Sequence, residues 1–135
     1  MSMRAKRLLG TVAFLVGVLV FGAVNDTLAE GVRQRIKFPR GRTSTAISNA
    51  VLREEIDEYL LGAKAGQRMT VEISSVEGNA AFLIHTPGRE GTLVGAGQGD
   101  DATHWDGELP ATGDYVIEVA PTRGNATYRL KVQVR

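Results

Sequence analysis

The 135-residue chain has no cysteine, two histidines (His85 and His104), one tryptophan and only 6% aromatic residues. Without cysteine there is no disulfide framework and no thiolate nucleophile. A zinc site, which draws on several Cys or His ligands at fixed spacings, has almost nothing to use. Neither histidine stands in a Gly-x-Ser-x-Gly or comparable context, so no nucleophile and base can be paired, and His85 reads as a partly covered strand-end residue. Lys and Arg are absent from Gly91 to Thr122, and the net charge of the whole chain is only +1. Such a balance offers no basic surface for displacing counterions, which excludes nucleic acid as a partner.

What is present begins with an export signal. Arg4, Lys6 and Arg7 precede an apolar run from Leu8 to Val24, and Thr27-Leu28-Ala29 offers a small-residue cleavage site. This order is that of a secretory signal peptide over residues 1–29, the competing reading being an uncleaved membrane anchor. Residues 30–135 then form one domain by size, nearly balanced in charge. An exported chain without disulfides fits a bacterial envelope, periplasmic or secreted, and Asn125-Ala126-Thr127 then reads as an ordinary loop and not as a glycosylation acceptor.

No convincing amphipathic helix follows. Val51–Leu61 comes nearest, but it is short and runs into Gly62, so a strand starting near Ile56 is expected, with one helical turn around 53–57 as the alternative. The other runs are strand-like: Ile36 and Phe38; 45–51; Met69, Val71 and Ile73; the nearly all-apolar 80–85, expected as a central strand; 92–94; and a strand around Trp105. In the last one, Tyr128, Leu130, Val132 and Val134 alternate with Arg129, Lys131, Gln133 and Arg135. One dry face and one wet face follow, and the segment 105–135 reads as a closing antiparallel hairpin. The alternating charges also fit an edge guarded against pairing. The expectation is an all-β, jelly-roll-like antiparallel β-sandwich of eight or nine short strands.

Candidate chemistry is sparse. Asp100, Asp101, His104 and Asp106 make an oxygen-rich loop, but one without the pattern of a calcium-binding loop; a solvated acidic loop is the plainer reading, and no metal or cofactor is expected. Carboxylates are plentiful without being placed as a catalytic pair. Trp105, beside Asp106-Gly107, is either a stacking or interface anchor or a lid on the core with its indole N–H satisfied locally. No catalytic residue is assigned.

Several motifs resemble the periplasmic inhibitor of g-type lysozyme family. They are Ile36-Lys37-Phe38-Pro39-Arg40-Gly41, Ser44-Thr45-Ala46, the stretch from Tyr59 to Gln67, Asn79-Ala80-Ala81-Phe82, Pro87-Gly88, Trp105-Asp106-Gly107-Glu108-Leu109-Pro110 and Gly113-Asp114-Tyr115. More broadly, Ala65-Gly66-Gln67 and Leu109-Pro110-Ala111-Thr112-Gly113-Asp114-Tyr115 resemble the bacterial pre-peptidase C-terminal domain. The resemblance implies a β-sandwich that is not an enzyme and that blocks a lysozyme cleft with loops at one end. The broader likeness implies instead an accessory module binding peptidoglycan, another glycan or a protein. Family members carry an Arg-rich, longer connection between the last two strands, whereas here the connection 121–126 holds a single Arg. Arg123 is thus the one counterpart, with Asn125 and Trp105 as neighbouring candidates for partner contact.

Overall fold

The structure is a computed structural model that describes residues 31–135, so the signal-peptide expectation lies outside the described residues. The described residues form eight strands: β1 (Arg33–Arg35), β2 (Ser44–Val51), β3 (Asp57–Ala63), β4 (Arg68–Ser75), β5 (Ala80–His85), β6 (His104–Glu108), β7 (Gly113–Pro121) and β8 (Ala126–Val134). They make two four-stranded sheets, ordered β1-β3-β7-β5 and β2-β8-β4-β6. Pairing is antiparallel except for β1 with β3. Every connection from β2 to β8 crosses from one sheet to the other, the alternation of a jelly roll.

Period-2 alternation places the core. Tyr59 and Leu61, Met69, Val71 and Ile73, Tyr115, Ile117 and Val119, and Tyr128, Leu130, Val132 and Val134 are buried between the sheets. At roughly 25 cal/mol per Å² of apolar area, each such residue contributes on the order of 1.5–3 kcal/mol by leaving water. Among the described residues the only helical segment is a single 3₁₀ turn at Pro87–Arg89; residues 53–54 form a turn and not a helix, and 57 already belongs to β3.

Five expectations are corrected. The last two strands do not form a hairpin: β7 pairs with β3 and β5, β8 with β2 and β4, so the 122–125 connection carries the chain between sheets. β8 is therefore an interior strand, and its outward charges face solvent from the middle of a sheet without guarding an edge. β5 is not central but an edge, and its apolar run is covered by the segment 92–102. That segment bonds along the free side of β5, Phe82 N to Ala102 O at 2.9 Å and Ile84 N to Ala96 O at 2.9 Å. Thr92–Val94 contributes a lone bridge to His85 where a short strand was expected. The first strand precedes Ile36, which with Phe38 turns in to close the core beside β1.

The register gives the sandwich two distinct ends. One, the base, gathers the end of β3, the start of β4, the end of β6 and the start of β7. The other, the corner end, gathers Val51, Asp57, Ser75, Ala80, Pro121 and Ala126.

Candidate functional site

The β7–β8 connection crosses the corner end and is fastened from below by one buried side chain. Asn79, 2% exposed, donates through Nδ2 to the carbonyl oxygens of Arg123 (3.0 Å) and Asn125 (2.9 Å). Its own backbone accepts from Thr122 N (2.8 Å), and its N–H is taken by Ser75 Oγ (2.8 Å). Gly124 completes the turn with φ +59°, a conformation that costs glycine little. The tip is thus fixed by backbone bonds while its side chains point outward.

Arg123 and Asn125 are both exposed, and both engage neighbouring turns. Arg123 Nη2 donates to Glu77 O of the β4–β5 turn (2.8 Å). Asn125 Oδ1 accepts from Arg53 N of the β2–β3 turn (2.7 Å). Three turns are thereby tied into one platform around the guanidinium, whose remaining N–H groups bond to no side chain among the described residues and suit a carboxylate. Within that platform Glu54 holds φ +68°, a strained setting for a residue other than glycine.

Beneath the platform lies a buried polar chain. Tyr128 OH donates to Asp57 Oδ2 (2.6 Å), and Tyr59 OH lies 2.6 Å from the Tyr128 oxygen. Asp57 Oδ1 accepts from Val32 N (2.8 Å), which pins the start of β1. Burial, and then the hydrogen bond to Asp57, push the Tyr128 hydroxyl far above the ordinary phenol range. Sequence reading gave no role to Asp57, and Asn79 entered it only as part of the Asn79-Ala80-Ala81-Phe82 motif. Asn79 follows Gly78 and looks like simple turn chemistry. Asp57 had a legible signal, because it stands in phase with Tyr59, Leu61 and Ala63 and so must face the core.

Trp105 is elsewhere. Its register against Val71 puts it on β6, away from the corner end, so the structure unites Arg123 with Asn125 but not with Trp105. Its Nε1–H donates to Val94 O (2.9 Å), and its ring lies so close over Gly107 that a Cβ there would meet Cη2 at 2.9 Å. The half-buried indole packs against the side of the core.

The acidic loop does not converge. Asp100 Oδ2 accepts from Gly97 N, Asp106 is held by Arg68 and Thr70, and His104 faces Glu72 at 3.6 Å. Among the described residues no three His, Asp or Glu side chains gather in an arrangement that could hold a metal ion. His85 sits 3.4 Å from Glu118 on the outer face of the first sheet, with no nucleophile bonded to it among the described residues. Arg35 of β1 grips Asp114 of β7 with two bonds (2.9 and 2.7 Å), so opposite charges from distant segments meet on one sheet.

The base carries two of the turn motifs, Ala65-Gly66-Gln67 and Leu109 to Tyr115. Gly66 N donates to Leu109 O and Leu109 N to Gln67 O, both at 2.8 Å. Ala65 N donates to Thr112 Oγ1 (2.9 Å), and Tyr115 OH donates to Ala111 O (2.6 Å). The motif around Gly66-Gln67 and the motif from Leu109 to Tyr115 are thus two halves of one joint.

No family model matches the chain. It is 28% identical, over 126 residues spanning 87% of this chain and 93% of the relative, to the inhibitor of g-type lysozyme of Escherichia coli K12. The crystal structure of a periplasmic inhibitor of g-type lysozyme from Aeromonas hydrophila matches with a TM-score of 0.66 at 29% identity, covering 79% of this chain and 100% of that one. The pre-peptidase C-terminal domain of a Bacillus anthracis collagenase shares the fold, at TM-score 0.52 and 19% identity over 75% of this chain and 94% of that one.

Proposed function

We propose that this chain is an exported, periplasmic and non-catalytic inhibitor of g-type lysozyme, which blocks the enzyme's cleft with the corner-end platform. The observation that carries the reading is similarity in both sequence and fold to such inhibitors along nearly their full length. An inhibitor of this kind needs rigid loops, not chemistry, because preorganised contacts lose less entropy on binding. Arg123 supplies the charge for a cleft carboxylate and Asn125 the adjoining polar contact, both presented by a loop whose backbone Asn79 holds. The segment 1–29 acts as the cleaved export signal, and an accessory glycan-binding role is disfavoured because the Trp105 ring lies against Gly107 with its N–H satisfied.

The test titrates the purified protein against goose-type and chicken-type lysozymes in a lysis assay. Loss of goose-type activity at stoichiometric inhibitor is expected, and Arg123→Ala weakens it at least about tenfold, equivalent to ~1.4 kcal/mol. Undiminished lysis at micromolar protein would sink the function. Inhibition unchanged in Arg123→Ala would move the contact away from this corner.

A further inference from the structure

Three of the four sheet edges are guarded. β5 is covered by the segment 92–102; β1 has three residues, two of them arginines; β6 has five, with Asp106 and Glu108 pointing out. β2 is different: eight residues, Ser-Thr-Ala-Ile-Ser-Asn-Ala-Val, with no charge, no proline and β8 as its one partner strand among the described residues. A long, flat, uncharged edge is what proteins ordinarily blunt with Lys, Pro or a bulge.

The hydrogen-bond phase shows which groups this edge offers. Val134 N donates to Thr43 O, so the odd-numbered residues Thr45, Ile47, Asn49 and Val51 bond toward β8. The N–H and C=O groups of Ser44, Ala46, Ser48 and Ala50 therefore face outward. Asn49 Oδ1 occupies the N–H of Ala50 at 2.9 Å, leaving Ser44, Ala46 and Ser48 to offer both groups.

We infer that β2 is a strand-pairing surface and that its partner is β2 of a second copy of this chain, antiparallel across a two-fold axis. The flanks fix the partner and the direction. Before β2 stand Arg40 and Arg42; after it stand Glu54 and Glu55, with Arg53 between them and the strand. Among the described residues Arg40, Arg42, Glu54 and Glu55 form no ion pair. Antiparallel self-pairing lays the basic flank of each copy along the acidic flank of the other, twice, whereas parallel pairing sets arginine on arginine. Outward groups must meet outward groups, so even-numbered residues pair with even-numbered ones around Ala46–Ser48. The sheet becomes eight-stranded and continuous, and the two Arg123 corners lie at its opposite ends, each with the Glu54–Glu55 turn of its platform beside the partner copy. Dimerisation rests on the β2 edge and not on Arg123, and it goes beyond the lysozyme-binding reading.

The experiment is sedimentation velocity on the protein expressed from its full sequence and purified as the cell processes it, over a concentration series without lysozyme. A concentration-dependent species of twice the monomer mass is expected at high-micromolar protein. Ala46→Pro removes an outward N–H and leaves every bond to β8 intact, and Ala46→Lys places two ammonium groups near the axis. Both variants should sediment as monomers, melt with the same cooperative transition and inhibit lysozyme equally per chain. Amide exchange of the unsubstituted protein should slow at Ser44, Ala46 and Ser48 as concentration rises. A monomer throughout the series, dimers that survive both substitutions, or protection that does not rise at those amides would each overturn the proposal.

Discussion

At the base of the sandwich Gly66, Gln67, Leu109, Ala111 and Tyr115 bond to one another, so the motif residues spend their hydrogen bonds within the fold. At the corner end Asn79 and Asp57 hold the backbone from beneath, and Arg123 and Asn125 are left at the surface. The first end is built from pairs of sequence-distant turns that only make sense together. The second separates support from display. Motif resemblance therefore concentrates at the base, whereas the proposed activity depends on the corner, and the two should respond differently to mutation.

The largest effect belongs to the base. Leu109 is 1% exposed, and truncating it leaves a cavity beneath the joint. Leu109→Ala is expected to lower unfolding stability by about 2–5 kcal/mol in urea titration, with inhibition unchanged per folded molecule. Asn79→Ala tests the link between support and display. It strands two carbonyl groups of the corner and should cost about 1–3 kcal/mol, and it should also weaken inhibition because the loop loses its anchor. A variant that loses stability but keeps full inhibition would show that the corner does not depend on Asn79 for its shape.

The faces of the strands were legible in the sequence, but their partners were not. Tyr128, Leu130, Val132 and Val134 point inward as their alternation requires. Alternation, though, is the same for a strand in either sheet, so it could not tell a hairpin from a crossing between sheets. For the same reason the apolar run of β5 looked central: burial on both faces arises equally from neighbouring strands or from a covering loop. At the site, Arg123 and Asn125 were legible as exposed loop residues. Their anchors were not, because Asn79 looks like any turn asparagine until the carbonyl groups it meets, more than 40 positions along the chain, come into view.

Arg123→Ala gives the sharpest contrast with Leu109→Ala. Its side chain is exposed and makes one bond to a turn carbonyl, so stability should change by less than about 0.5 kcal/mol while inhibition falls. Equal losses of both would erase the distinction between the ends.

The smallest effects separate the ends by pH. Near the base, the hydrogen bond from Arg35 holds the Asp114 carboxyl below its ordinary range, and the bond from Arg68 does the same for Asp106. A carboxyl that binds its proton less readily when folded stabilises the fold above the unfolded value of about 4, and that share is lost as pH falls through the folded value. Tyr128, at the corner, has the opposite sense. Its raised hydroxyl stabilises the fold below the unfolded phenol value of about 10, and the contribution declines as pH climbs beyond it. Melting temperature followed from pH 3 to pH 11 should therefore fall at both limits. Asp114→Asn should shallow the acid limb alone, and Tyr128→Phe the alkaline limb alone. The acid change is modest because the pairs are exposed to solvent and screened, while the alkaline one draws on a phenol only 2% exposed. If Tyr128→Phe left the alkaline limb as steep as before, the buried Asp57–Tyr128 bond would not be what makes the corner end sensitive to base.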